Sequence, residues 1–241
     1  MSGTAPSTAA EFLQGLRELS PLEAPTNDAG GLRIDAGDLF LAVRMRDIFA
    51  LAKASIDLTP DEIERLLESP IHDARVGAVS VMDFQARRSG TPEVRRRELY
   101  ELYLRRHDRI NNWDLVDRAA PFVVGGYLAD KSRAPLYDLA GSADVWERRT
   151  AIVATYYFIR LDDLGDTFAL AAILADDPHD LVQKAVGGWI REAGKRDRHR
   201  LQAFLNEYAA TMAPVALRYA IEHFDKEARA HYLRLSKSAR R

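Results

Sequence analysis

Cysteine is absent from the 241 residues. That absence excludes disulfides, thiolate catalysis, zinc fingers and cysteine-held iron-sulfur clusters together, and it is compatible with a reducing compartment. Long apolar runs are also lacking. The most apolar stretch, Thr150 to Ile159, is too short to cross a bilayer, and the N-terminus has neither the basic region nor the hydrophobic run of a secretory signal. A cytoplasmic protein without membrane contact is expected. Charge of one sign is missing too: 34 basic residues face 36 acidic ones, a formal net charge of -2, which argues against a coat of nucleic acid on all sides but permits a local basic face. Six histidines, His72, His107, His179, His199, His223 and His231, share no metal-ligand spacing. No metal and no cofactor are expected, and His72 and His179, each near a helix start, are read as capping or packing residues. What is present is ample core material, 47% apolar residues with 29% charged, as in ordinary globular proteins.

The apolar pattern is helical throughout. Thr8-Ala9-Ala10-Glu11 has the capping-box form and places Phe12, Leu13, Leu16 and Leu19 on one stripe. Between Ser20 and Asp38 the residues Pro21, Pro25, Asn27, Gly30, Gly31 and Gly37 interrupt any period, so an irregular loop is expected. Further helix starts are read at Thr59-Pro60-Asp61-Glu62, Ser69-Pro70 and Thr91-Pro92-Glu93, then near Asn112, Pro135, Asp144, Asp163, Asp180, Asp197, Pro214 and Asp225. The short alternating runs of strands do not occur, and with them goes the strand-turn-helix elbow of a serine hydrolase. The chain reads as all-α.

Small residues followed by branched apolar ones recur at Ala78-Val79, Ala151-Ile152, Ala185-Val186 and Ala220-Ile221. With Ala120 counted, the intervals are roughly 30 to 40 residues, bracketing the period of helical-hairpin repeats such as HEAT. Residues 1–38 are therefore read as an N-terminal helix and loop, and residues 39–241 as a HEAT-like repeat solenoid with a concave basic face, a single domain overall. An irregular helical bundle is the plainer alternative. A solenoid with capped ends needs no partner, so a monomer is expected.

Between Phe84 and Ile110 the arginines at 87, 88, 95, 96, 97, 105, 106 and 109 outnumber the acids two to one. A second cluster, Arg191, Lys195, Arg196, Arg198 and Arg200, follows Trp189, and the tail ends in Arg240 and Arg241. Such clusters suit a phosphate backbone, although a solvated helix surface is their commoner use. Tryptophan adds to this. Trp113 and Asp117, in Asn111-Asn112-Trp113-Asp114-Leu115-Val116-Asp117, are four apart and project from one face of a helix. Trp189 sits beside Gly187 and Gly188, which provide room for close approach. A tryptophan is ordinarily core, but a carboxylate one turn away on a packed face needs a partner or a role.

These blocks, with Ser69-Pro70-Ile71-His72-Asp73, Trp146-Glu147-Arg148-Arg149-Thr150-Ala151-Ile152 and Lys184-Ala185-Val186-Gly187-Gly188-Trp189-Ile190-Arg191-Glu192, resemble the AlkD-like DNA alkylation-repair glycosylases over roughly residues 40 to 235. That family is built from HEAT-like repeats and excises N3- and N7-alkylated purines from double-stranded DNA. The resemblance implies that its two tryptophans are Trp113 and Trp189, its aspartate is Asp117 and its arginine is Arg149, with adjacent Arg148 the other possibility. One departure stands out: the family commonly places an aromatic residue, often tyrosine, on an N-terminal helix, and this chain has no tyrosine before Tyr100. The corresponding stretch, Leu32-Arg33-Ile34-Asp35, reads as loop.

The implied chemistry needs few groups. An alkylated purine of this kind is already cationic, so its departure needs no general acid. A fixed carboxylate, Asp117, stabilises the deoxyribose oxocarbenium ion or orients the attacking water. The indole faces of Trp113 and Trp189 attract cations, by about 0.5 to 2 kcal/mol each. Arg149 or Arg148 holds the phosphate beside the lesion, and Arg106, Arg109, Arg191 and Lys195 seat the flanking duplex. No narrow base slot is expected. Two competing readings are a non-catalytic HEAT module that binds damaged or branched DNA, and a protein-protein scaffold.

Overall fold

The computed structural model describes residues 5–23, 26 and 37–239. Most of the loop read between Ser20 and Asp38, including Leu32-Arg33-Ile34-Asp35, lies outside the described residues, as do Arg240 and Arg241. Among the described residues there are helices and no strands, only two isolated bridges, Thr26 with Phe40 and Leu39 with Ile71. The fold is all-α. It forms two compact units, Met1–Tyr127 and Leu128–Arg241.

In the first unit the helices are α1 (Ala9–Leu19), α2 (Met45–Ala54), α3 (Pro60–Leu67), α4 (His72–Arg87), α5 (Glu93–Arg105) and α6 (Trp113–Ala119), followed by a π-helical turn, Ala120–Gly125; the short α7 (Gly126–Leu128) contains the division between the units. α1 opens on a complete capping box: the Thr8 hydroxyl accepts from the Glu11 N–H, and the Glu11 carboxylate accepts from the Thr8 N–H, each at 3.2 Å. Its Phe12 ring lies so close to Gly77 that a Cβ there would sit 2.4 Å away, and this fixes α1 against α4.

α4 is buried on nearly every side, so it is the centre of the unit rather than a half-wetted surface helix. It nevertheless carries six buried polar residues, His72, Asp73, Arg75, Ser80, Asp83 and Gln85. They tie irregular backbone and neighbouring helices to the centre. Asp73 accepts the N–H groups of Leu41 and Val43 at 2.9 and 3.0 Å, and Gln85 donates to the Leu58 carbonyl at 2.7 Å. The helix begins two residues after Pro70 rather than at it. Leu39 intervenes, accepting from the His72 N–H and donating to the Pro70 carbonyl, which keeps the chain extended to Ile71.

Proline also explains the π-turn. Pro121 has no N–H to offer the Asp117 carbonyl four residues back. The ladder opens, and Gly126 donates to Pro121 over five residues.

The second unit contains α8 (Ala134–Ala140), α9 (Val145–Ala154), α10 (Tyr156–Ile159), α11 (Gly165–Ile173), α12 (Asp180–Arg196), α13 (Arg198–Tyr208), α14 (Pro214–Ala220) and α15 (Lys226–Ala239). Here α12 is the centre, packed by α9, α10, α11, α13 and α14. The apolar run from Thr150 breaks at Thr155, whose hydroxyl donates back to the Ile152 carbonyl at 2.7 Å. The start read near Asp163 falls at Gly165 because the Asp163 carboxylate, instead of capping, pairs with Arg133 at 2.7 Å. Ala78, Val79, Ala151, Ile152, Ala185, Val186, Ala220 and Ile221, the small-then-branched pairs, are all buried.

Candidate functional site

Trp113 is the first residue of α6, a helix of only seven residues. Its start is set by Asn112, whose buried side-chain oxygen accepts from the Trp113 N–H at 2.8 Å. Trp113 is 38% exposed, and Asp117, one turn later, is partly buried. Each is followed by a residue that looks elsewhere. Asp114 and Arg118 lie about 100° further round the helix and hold it to α4.

The two anchors differ in kind. Asp114 Oδ2 lies 2.8 Å from His72 Nε2, and both side chains are nearly inaccessible. Arg118 donates from Nε to the Ser80 hydroxyl at 3.1 Å and pairs through Nη1 with Asp83 at 2.9 Å. Its guanidinium is also sandwiched, 4.5 Å from the Phe49 ring centre and 4.7 Å from that of Phe84. Burial pushes the Asp83 carboxyl above the ordinary carboxylate value, against the pull of Arg118 and Arg87. Burial likewise lowers Arg118, so this is a desolvated pair in which each charge depends on the other.

In the second unit Trp189 packs on Tyr156, ring centres 5.0 Å apart and planes at 37°. The two glycines before it have different environments. A Cβ at Gly187 would lie 2.2 Å from the Ala216 carbonyl oxygen, so the room there is taken by α14. At Gly188 nothing stands within 4 Å, so the open approach is on that side alone.

Arg149 is buried and donates to the Leu181 carbonyl in the first turn of α12. Leu181 and Trp189 are eight residues apart on that helix, roughly 12 Å along its axis, so arginine and tryptophan occupy different turns. Arg148 is held by Asp177, at 2.6 and 3.3 Å, and by the carbonyls of Ser142 and Ala143 at 3.0 and 2.9 Å. It locks the entry of α9 to the segment before α12. His179 caps α12, its Nδ1 accepting from the Leu181 N–H at 3.2 Å, in the role read for it from the sequence.

The arginine run of the first unit is largely committed within the fold. Arg109 reaches back to the carbonyls of Leu67, Glu68 and Ser69 at 3.0, 3.3 and 2.9 Å, covering the open C-terminus of α3. Arg96 does the same for α4 through the carbonyls of Ala86 and Arg88, with Thr91 as a third acceptor. Arg106 lies between Glu64, Glu68 and Asp108 at 3.0 to 3.1 Å, while Arg105 pairs with Glu64 at 2.7 Å. In the second unit Arg191 pairs with Glu222 and Glu192, and Lys195 with Glu192 at 2.8 Å. The exposed pairs, such as those of Arg105 and Lys195, are weak, whereas Arg106, Arg109 and Arg148 have three or more partners apiece.

Sequence reasoning missed the docking face of α6. The i,i+4 spacing of Asp114 and Arg118 was visible beside that of Trp113 and Asp117, but nothing local marks His72 or Asp83 as their partners. Among the described residues no group of three or more His, Asp or Glu could hold a metal ion, and no helix is long and apolar enough to cross a membrane.

Comparisons with known proteins bear on the family and the fold. A family model described as DNA alkylation repair enzyme matches residues 16–224. A solved structure described as a predicted DNA alkylation repair enzyme from Enterococcus faecalis is similar at a TM-score of 0.60 and 16% identity, covering 94% of this chain and 99% of that one. No curated protein matches the sequence significantly.

Proposed function

The chain belongs to the DNA alkylation repair enzyme family, and from that premise we propose that it is a monofunctional glycosylase that releases cationic N3- or N7-alkylated purines from double-stranded DNA. The observation that carries the reading is the arrangement of α6: Asp114 and Arg118 fasten it to α4, while Trp113, 38% exposed, and Asp117 share another face, which is the one proposed to meet a substrate.

In this reaction the C1′–N bond breaks heterolytically and its electron pair leaves with the base, cancelling the base's formal positive charge. No proton has to reach the leaving group. The deoxyribose becomes an oxocarbenium ion, water adds at C1′, and one proton is released to solvent. Asp117 stabilises the sugar cation through space and can accept the hydrogen bond of the incoming water. Trp113 and Trp189 offer π faces that favour a charged lesion over a neutral base. Arg149 is the proposed phosphate contact, with adjacent Arg148 the other possibility. Arg191 and Lys195 extend the duplex contact, whereas Arg106 and Arg109 tie helices within the first unit. The protein is proposed to act as a cytoplasmic monomer without cofactor.

The test is release of 7-methylguanine or 3-methyladenine from methylated duplex DNA. The wild type is expected to release base and Asp117→Asn to have lost most of that ability. Salt-sensitive DNA binding with no release by either protein overturns the glycosylase reading in favour of a non-catalytic damage-binding module.

A further inference from the structure

His72 is fully enclosed in the first unit, 3% exposed, and sits at the start of the central helix α4. On one side Nε2 meets Asp114 at 2.8 Å; on the other, Nδ1 meets Nη2 of Arg75 at 3.3 Å. A guanidinium can only donate, so Nδ1 accepts and the ring proton resides on Nε2, aimed at Asp114. Arg75 is in turn held by Asp38, whose carboxylate receives Nη2 at 2.5 Å. A continuous polar chain therefore runs from Asp38 through Arg75 and His72 to Asp114.

This chain is a poor device for stability. Arg75 has no accessible surface, and among the described residues its Nε and Nη1 have no hydrogen-bond partner. Buried donors left unmatched cost free energy that an apolar residue of similar volume would avoid. What the chain does supply is direction. Asp114 Oδ1 accepts the N–H of Leu115 at 3.0 Å while Oδ2 is held by His72, so the first turn of α6 has one rotational setting. Trp113 immediately precedes Asp114, and Asp117 is one turn beyond Trp113. A helix of seven residues bounded by a π-turn has little stiffness of its own, so the setting of its first turn sets both side chains.

We infer that His72 is a positioning residue of the α6 site: with its tautomer fixed by Arg75, it holds Asp114 and thereby orients Trp113 and Asp117. The inference rests on the proposed glycosylase reading for its kinetic consequence but not for its geometry.

The experiment has two arms. In the first, single-turnover base release and DNA affinity are measured for wild type, His72→Phe and His72→Gln. His72→Phe is expected to slow release between about tenfold and a hundredfold with DNA affinity kept within about twofold, and His72→Gln, which can still donate to Asp114, to recover most of the rate. If His72→Phe does not fold, His72→Phe/Asp114→Leu removes the stranded carboxylate together with its partner, and the same loss of rate is expected. Rates equal to wild type in a folded variant overturn the inference. In the second arm Trp146→Phe/Trp189→Phe leaves Trp113 as the sole tryptophan. Adding His72→Phe is expected to shift the Trp113 emission maximum and raise its acrylamide quenching, and His72→Gln to restore both. If wild type releases no base, the functional reading fails, and unchanged Trp113 fluorescence then separately overturns the positioning role.

Discussion

Asp117 and Arg118 are consecutive residues with opposite assignments. Arg118 is drawn onto α4 between Phe49 and Phe84 and pairs with Asp83 at 2.9 Å, while Asp117 shares its face with the exposed Trp113. One residue of helix advance, about 100°, separates the side of α6 that holds the fold from the side that carries Trp113 and Asp117, the one proposed to face a substrate. Substitutions at neighbouring positions should therefore fail in different ways.

Asp117→Asn keeps shape and removes charge. Base release from methylated DNA is expected to fall on the order of a hundredfold, with DNA affinity nearly unchanged, because the carboxylate acts on a charge that exists only as the bond breaks. An Asp117→Asn protein as fast as wild type in single turnover sinks the assignment.

Arg118→Met is expected to be costly to the fold. It leaves the Asp83 carboxyl, 1% exposed, without its main counter-charge, at a cost of about 3 kcal/mol. Adding Asp83→Asn should recover a large part of that loss, since the stranded charge disappears with its partner. Urea titrations of the single and double variants decide this; a double variant no more stable than the single one contradicts it.

The two glycines before Trp189 separate packing from access. Gly187→Ala forces the added methyl onto the Ala216 carbonyl and is expected to destabilise by about 1 to 3 kcal/mol or more. Gly188→Ala meets open space and should stabilise the helix by about 0.5 to 1 kcal/mol. If a duplex approaches on that side, Gly188→Ala will nevertheless slow base release, a combination that thermal melts and activity measured together will detect.

The basic residues should sort by how firmly the fold holds them. Lys195→Ala is expected to reduce the salt slope of DNA binding by about one, whereas Arg109→Ala, which uncovers the C-terminus of α3, should lower the melting temperature and leave the slope alone. Binding isotherms across a range of salt concentrations read both. A slope lost with Arg109 and kept with Lys195 reverses the assignment.

The pH profile of stability should be bounded by two ion-pair clusters. Hydrogen bonds from Arg105 and Arg106 hold the Glu64 carboxyl below its ordinary value. Asp166 is also lowered: burial works against its ionisation, and the Tyr137 hydroxyl and Arg133 outweigh it. A lowered folded value means stability that is complete above the unfolded carboxylate range near pH 4 and lost as pH falls through the folded values. Glu64→Gln and Asp166→Asn should each flatten that acid limb. At the alkaline end Tyr137 is pushed up to about 12 by burial and by Asp166, so its contribution is complete below about pH 10 and declines as pH rises through the folded value. Denaturant midpoints against pH test both limbs, and an acid limb unchanged by both substitutions contradicts the first.

Much of this was legible along the chain. Thr8 with Glu11, Thr59 with Glu62, Asn112 with Trp113 and Asp144 with Trp146 are caps made within three residues, so sequence alone places the helix starts they define. The common face of Trp113 and Asp117 follows from 3.6 residues per turn in the same way. Where the local signal was overridden, a distant group had intervened, as Arg133 did at Asp163 and Leu39 at Pro70.

Helix positions, and which side chains share a helix face, depend on interactions within one turn of the backbone, and the order of residues determined them. The partners of those faces did not follow: His72 and Asp114 are 42 positions apart, Arg109 and Leu67 likewise, and Arg148 meets Asp177 across 29. Long-range pairing depends on which helices share a core and at what rotation, a collective outcome of packing that no single segment encodes. Tertiary structure therefore decided which arginines secure the fold and how α6 is turned on α4.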